Sequence, residues 1–483
     1  MNERYSRFVV PGLVVGVGLM AAYIAFYQPG YLSSASYLGG LMFLQVLLAA
    51  VWKYEKRFFP LLVVVFLWAG MSLPFSGIWT FGRWPVLAVG AIAGFALYMR
   101  SARPQFATFH LVAIFAVLAA LVSAAVSGLP MLSFMKALSL LLLFLYAATG
   151  ARLALAGREE EFFPKLLLLV EIVVYLSAVI YFVLRIPVFG NPNSMGAIMG
   201  VVAVPLLFWG FLTAVGKTQF RRMAFALTLS VGLLFYSQAR AGILAAVIVC
   251  GLVCVVLRRY RLMIQGVVAF VCVAGLVITA TPTESGEDMP GRQENSSLLS
   301  TMLYKGHDDV GVLGSRRSAW DETINVIQDN PWFGSGFGTS VGNDESDMEV
   351  GQYATVSAAT REHGNSYLAI MEGVGLLGVV PFIALVVALA LKVGGVFAWL
   401  RRTGNIRHFS VPVAMVLAAG LIHAGFEDWL FAVGYYLSVF FWVLAFAFMD
   451  LLPSEAPAAA YRLIRNPAFE SFRRDVHVAA PER

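Results

Sequence analysis

The residues of this chain best suited to chemistry are arginines and histidines in one polar passage. Between Pro282 and Asn365 lie Arg292, Arg316, Arg317, Arg361, His307 and His363, besides many carboxylates. A guanidinium is planar, keeps its proton at any working pH and grips phosphate oxygens through two parallel hydrogen bonds. Two or three of them converging on a pyrophosphate would stabilise charge on the leaving group, work that a metal ion often does. Imidazole is the natural proton acceptor near neutral pH. His363 stands in Arg361-Glu-His-Gly-Asn-Ser-Tyr-Leu368, where the passage returns to apolar sequence. The alternative for a single loop histidine is a structural or solvated role.

Other candidates carry similar pairs of readings. Arg316, Trp320, Ile324 and Ile327 recur on one face of a helix expected over Ser315 to Gln328, which Asn330-Pro331 stops. Arg316 is either stacked on Trp320 at the surface or held rigid beside a phosphate. Arg240 occupies a short turn, Ser237 to Gly242, between two apolar runs. It either reaches lipid headgroups or turns inward to an anion. Arg185 precedes Pro187 and the polar break Gly190-Asn-Pro-Asn-Ser194, where the backbone could line a cavity. His307-Asp308-Asp309 and the acids from Asp344 to Glu349 lack a metal-ligand spacing, so no metal site is assigned. Glu171, Lys136 and His423 sit inside apolar runs and would suit transport or a proton relay. No P-loop, nucleophile elbow or zinc-protease motif occurs.

These residues need a scaffold, and composition says which kind. Hydrophobic residues make up 59%, charged residues 13%, and mean hydropathy is +0.78. That excludes an ordinary soluble domain. Apolar runs fall near 8–27, 34–52, 58–76, 84–99, 107–127, 131–149, 164–184, 195–216, 221–237, 240–257, 262–281, 370–398, 411–427 and 433–449. The fold expected is an all-α polytopic membrane protein of about 12–14 transmembrane helices, with one large, partly helical periplasmic loop. The first run is read as an uncleaved span. Of the 34 Lys and Arg residues, 25 lie in one alternating set of connectors and 9 in the other. The positive-inside rule makes the first set cytoplasmic and places both termini inside, with the long loop outside. The expected divisions are a bundle at 1–281, the loop at 282–365, C-terminal helices at 366–450 and a tail at 451–483. Cys250, Cys254 and Cys272 all lie in apolar runs and imply no disulfide framework. The net charge of +6 gives no case for nucleic acid.

Four stretches together resemble the O-antigen ligase and polymerase family of bacterial envelope membrane proteins. They are Gly190-Asn-Pro-Asn193, Ser237-Gln-Ala-Arg240, the block Arg316 to Gly338, and His363 to Gly378. Within them, Arg316 and Trp320 precede Asn330-Pro-Trp-Phe-Gly-Ser-Gly336, and Asn365-Ser-Tyr-Leu368 precedes Glu372-Gly-Val-Gly-Leu-Leu-Gly378. One departure is Gly364, which separates His363 from the asparagine that usually follows the histidine. The resemblance implies metal-independent, inverting glycosyl transfer at the periplasmic face of the inner membrane, without a cofactor. Its donor would be a glycan on undecaprenyl pyrophosphate, its acceptor the lipid A–core oligosaccharide, and membrane lipid its surroundings. Arg240 and Arg316 would hold the pyrophosphate, and His363 would orient or deprotonate the acceptor hydroxyl. Arg185, Asn191, Asn193, Arg317, Trp320, Arg361, Asn365 and Tyr367 are the further candidates for contact with pyrophosphate or glycan. A polymerase or a protein O-oligosaccharyltransferase of the same family differs only in its acceptor. From other classes, a transporter or lipid flippase would depend on Glu171 and Lys136, and a cell-wall polymerase on Asp308, Asp309 or Asp321.

Overall fold

The computed structural model describes residues 54–71, 76–101, 106–184, 186, 189, 191–280, 314–339 and 363–453, with four single positions between 15 and 26. Apart from those four positions, the first two apolar runs lie outside the described residues, as do Arg185, Arg361, His307 and most of the polar passage. Every regular element described is helical. Lipid offers no hydrogen bonds, so an apolar run must satisfy its own backbone, and the helix does so within one segment.

In chain order the helices are α1 (Tyr54–Ala69), α2 (Ser76–Arg100), α3 (Thr108–Val126), α4 (Pro130–Leu155), α5 (Glu159–Leu184) and α6 (Pro192–Thr213). There follow α7 (Lys217–Tyr236), α8 (Arg240–Val256), α9 (Tyr260–Ala280), α10 (Gly314–Asp329), α11 (Ser366–Thr403), α12 (Ser410–Ala424) and α13 (Tyr436–Phe448). Six of the described helices are long and apolar enough to cross a membrane. α1, α8, α9, α12 and α13 contribute shorter apolar stretches. The protein is a multi-pass membrane protein. Each apolar run expected between 58 and 449 meets one of these helices, and the loop helix α10 extends one residue beyond its expected range at each end. π-turns not anticipated from the sequence interrupt α4 at Ala147–Ala151, α5 at Val179–Leu184 and α6 at Ile198–Ala203.

Two packing features position the candidate residues. The first brings α6 against the start of α8. A Cβ on Gly200 would lie 2.3 Å from the Gly242 carbonyl oxygen, and one on Gly196 would lie 2.0 Å from the Cβ of Ala239. Only glycine permits this approach, which sets the start of α8, where Arg240 is the first residue, against α6, the helix that Asn191 caps.

The second feature joins the return segment after α10 to a break in α11. At Gly375 the backbone leaves helical geometry, with φ 68° and ψ −179°, a conformation that favours glycine. The break exposes helix carbonyls and N–H groups that burial would make costly. The return segment supplies their partners. Ser335 and Gly336 donate N–H groups to the carbonyls of Glu372 and Gly373 at 2.9 and 3.1 Å. Leu376 and Leu377 donate to Pro331 and Trp332 at 2.7 and 3.2 Å. α3 and α4 clasp the joint from behind. Ser123 donates to Gly373 O at 2.5 Å, Ser127 to Ser335 O at 3.1 Å and Ser133 to Phe337 O at 3.0 Å. Lys136 donates to Gly338 O. The glycine motifs near 334–338 and 373–378, far apart in sequence, are thus two halves of one joint.

Candidate active site

The end of the bundle above this joint gathers ionisable side chains from three segments. α10 brings Arg316, the residues before α11 bring His363, and the turn between α12 and α13 brings Glu427 and Asp428. Asn365 caps α11, its side chain accepting from the N–H groups of Tyr367 and Leu368 at 2.8 and 3.2 Å. Ser366 fastens the third segment by donating to Glu427 O at 2.6 Å and accepting from Leu430 N–H at 3.0 Å. Arg83 of α2 anchors the same turn through Gly434 O at 2.6 Å.

Gly364, the departure noted in the sequence, has a physical reason. Its φ is 63°, and a Cβ there would lie 2.7 Å from Nη1 of Arg316. The guanidinium passes directly over this glycine. Trp320 Nε1–H donates to Gly364 O at 3.3 Å, so α10 holds the turn at a second point.

Arg316 donates through Nη2 to Glu427, and both side chains are largely shielded, at 20% and 15% exposure. Arg240 lies within Coulombic reach of Arg316. His363 is bracketed by carboxylates. Its Nδ1 lies 3.1 Å from Asp428 Oδ2 and its Nε2 3.3 Å from Glu372 Oε1. Its backbone N–H also donates to Asp428 Oδ2 at 2.9 Å. Burial disfavours the charged ring, yet the hydrogen bonds to Asp428 and Glu372 and their negative charges outweigh it. The His363 pKa is pushed up to about 9. For Asp428 burial acts upward, and the hydrogen bonds and charge of His363 overcome it, holding the carboxyl below its ordinary value. At neutral pH His363 is therefore an imidazolium with both ring N–H groups engaged. That departs from the expected proton acceptor, because no lone pair remains on the ring.

Next to this network lies a polar chamber of about 250 Å³ lined by Asn191, Asn193, Ser194, His423, Glu427, Asp428 and Tyr435, among others. Glu427 and Asp428 thus face the chamber and the cationic groups at once. The three expected catalytic residues are gathered at this end of the bundle: Arg240 within Coulombic reach of Arg316, Arg316 on Glu427, and His363 on the adjacent Asp428. Asn191 and Asn193 reach the chamber, and Asn191 also caps α6 by accepting from Asn193 N–H at 2.9 Å. Trp320 and Asn365 are committed to the scaffold contacts above, and Tyr367 donates to Leu421 O at 2.8 Å. Arg317 is exposed, while Arg185 and Arg361 lie outside the described residues.

The intramembrane polar groups have structural partners. Glu171 pairs with Arg222 at 3.2 Å, Lys136 holds the return segment, and His423 accepts at Nδ1 from Trp429 Nε1–H at 2.8 Å. Sequence reasoning missed Glu372, Glu427 and Asp428. A signal existed in Gly425-Phe-Glu-Asp-Trp429, two adjacent acids in an otherwise apolar region, where ionisable residues are costly unless used.

Residues 225–383 match the model of the family described as O-antigen ligase. The resemblance read from the motifs is thereby shown. The O-antigen ligase match begins inside α7, takes in Arg240, Arg316, His363 and Glu372, and ends within α11. It indicates ligase- or polymerase-type glycosyl transfer in broad terms. Asn191, Asn193, Glu427 and Asp428 lie outside the stretch matched to the O-antigen ligase family. No curated protein matches the chain.

Proposed function

We propose that the protein is an O-antigen ligase that transfers a glycan from undecaprenyl pyrophosphate to the lipid A–core oligosaccharide at the periplasmic face of the bacterial inner membrane. The observation that carries this reading is the approach of Arg240 to Arg316. Two partly shielded like charges repel one another; Glu427 offsets part of that repulsion at Arg316, and a doubly charged anion binding at both guanidiniums offsets more. A pyrophosphate meets the need, and as it departs with the glycosidic electron pair its growing charge is already matched. The imidazolium of His363 is spent on Asp428 and Glu372 and adds no net positive charge for the donor. It orients the site and does not accept the proton. The amides and carboxylates of the adjoining chamber suit sugar hydroxyls. An apolar slot that includes Phe66, Leu166, Val170, Ile198 and Tyr436 suits part of a polyprenyl chain. Tyr436 donates to Ser194 O at 3.2 Å, so slot and chamber share a wall.

The test is reconstitution of the purified chain in nanodiscs with lipid-linked glycan and lipid A–core. Expected is transfer that Arg316→Ala and Arg240→Ala abolish and that Arg316→Lys impairs, because a point charge lacks the planar fork. Transfer only onto another lipid-linked repeat would make the protein a polymerase, and transfer onto a protein hydroxyl an oligosaccharyltransferase. No transfer to any acceptor, with Arg316→Ala cells retaining normal lipopolysaccharide, would remove the enzyme reading.

A further inference from the structure

Glycosyl transfer to a hydroxyl needs a group that takes the hydroxyl proton, and His363 is occupied at both ring nitrogens. We propose that Glu427 is that proton acceptor, released from Arg316 when the donor's pyrophosphate takes over the guanidinium. This inference rests on the glycosyl-transfer reading above.

The neighbouring groups narrow the choice. Asp428 Oδ2 already accepts two hydrogen bonds from His363, at its backbone N–H and at Nδ1. Glu372 is 1% exposed, faces His363 Nε2 and does not line the chamber. His423 lines the chamber, but its Nδ1 accepts from Trp429, so in the neutral ring the proton sits on Nε2 and that edge can only donate. Glu427 alone among these lines the chamber and is bonded to the guanidinium that the pyrophosphate would claim. Its other charged or titratable neighbours are Arg240, within Coulombic reach of Arg316, Asp428 beside it, and His423 and Tyr435 on the chamber wall.

Arginine binds phosphate through the same Nη groups that it offers a carboxylate. Donor binding therefore exchanges one anionic partner of Arg316 for another and frees the Glu427 carboxylate, which already lines the chamber. The acceptor oxygen then forms a bond to the anomeric carbon. The bond from that carbon to the phosphate oxygen breaks, and its electron pair leaves on undecaprenyl pyrophosphate. The hydroxyl proton moves to a Glu427 carboxylate oxygen and later passes to water. The carboxylate is thus free to take a proton only when donor occupies Arg316.

The experiment measures turnover and donor affinity separately on the full chain in nanodiscs. Glu427→Gln is expected to lower turnover by about 10²–10⁴-fold, the usual contribution of a general base, while donor affinity holds within about threefold or tightens. Glu427→Asp is expected to keep part of the turnover with the same affinity. Unmodified protein supplies a measurement independent of variant folding: turnover should stay level between about pH 6.5 and 8.5. Turnover that climbs as His363 loses its proton would return the base to that histidine and overturn the inference. So would Glu427→Gln turning over within tenfold of the unmodified protein, or losing donor affinity in step with turnover. Absence of transfer by the unmodified protein would instead remove the underlying reading.

Discussion

Replacing His363 by glutamine and following stability against pH isolates the charge on one ring. The imidazole of an unfolded chain titrates near 6.5, and in the folded protein it is raised to about 9. At about 1.4 kcal/mol per pH unit, that interval corresponds to about 3 kcal/mol of stabilisation. A raised pKa gives a contribution that is fully present below pH 6.5 and disappears as pH rises through about 9. Asp428 shifts the opposite way. Its contribution is lost only on acidification through the carboxylate range, so it does not overlap this window. The assay is thermal unfolding in nanodiscs, followed by tryptophan fluorescence at pH 6, 8 and 10. The difference in midpoint between unmodified protein and His363→Gln is expected to be several degrees at pH 6 and to narrow towards zero by pH 10. A difference that stays constant across the series would refute the account of His363 as an imidazolium clamped between Asp428 and Glu372.

Further outcomes follow from the same geometry. Gly364→Ala forces a side chain into left-handed backbone geometry, at about 1–2 kcal/mol, and against Arg316 Nη1. Donor affinity should fall at least tenfold, read by binding of labelled lipid-linked glycan. Lys136→Met removes the donor to Gly338 O and should cost about 1 kcal/mol. It should speed amide exchange in residues 334–339 while those of α12 stay unchanged. Asp450→Asn weakens the contacts to Arg152 from its Nε and Nη2 at 2.6 Å. With Asp450 42% exposed, solvent screening reduces the effect to about 1–3 kcal/mol. A lowered melting temperature with unchanged turnover is expected, because this pair lies outside the active-site network.

Much of the fold was legible because its determinants are local. Apolar length announces a membrane helix, and Asn330-Pro331 stops α10 where a helix must stop. The π-turns left no mark in the apolar pattern, and the one in α4 accompanies a tertiary contact. There Gly150 meets the Tyr54 hydroxyl so closely that a Cβ would lie 2.0 Å from it. The break at Gly375 was hidden for the same reason, since a Gly-x-Gly pair in a long apolar run is compatible with an unbroken helix. At the site, Arg240 and Arg316 stood out as isolated cations outside the basic connectors, and His363 as a histidine where the polar passage returns to apolar sequence. Their acidic partners did not, because Glu372 looks like one polar residue on a helix and Glu427 like the end of an apolar run. Chain contact across long sequence separations decides what those carboxylates do, and with it the charge on His363.

The joint between the return segment and α11 also governs how the bilayer acts on the protein. Below the break at Gly375, α11 runs on to Thr403, a helix of about 42 Å against roughly 30 Å of hydrocarbon. A rod so much longer than the layer it crosses tilts as lipid thickness changes. The residues above Gly375 are not steered by that rod alone, since their backbone is stitched to residues 331–336 and, through serines and Lys136, to α3 and α4. The lower part can lean like a mast while its head stays fixed to the deck. The placement of Arg316 and His363 then depends on this joint more than on the tilt of the helix below it.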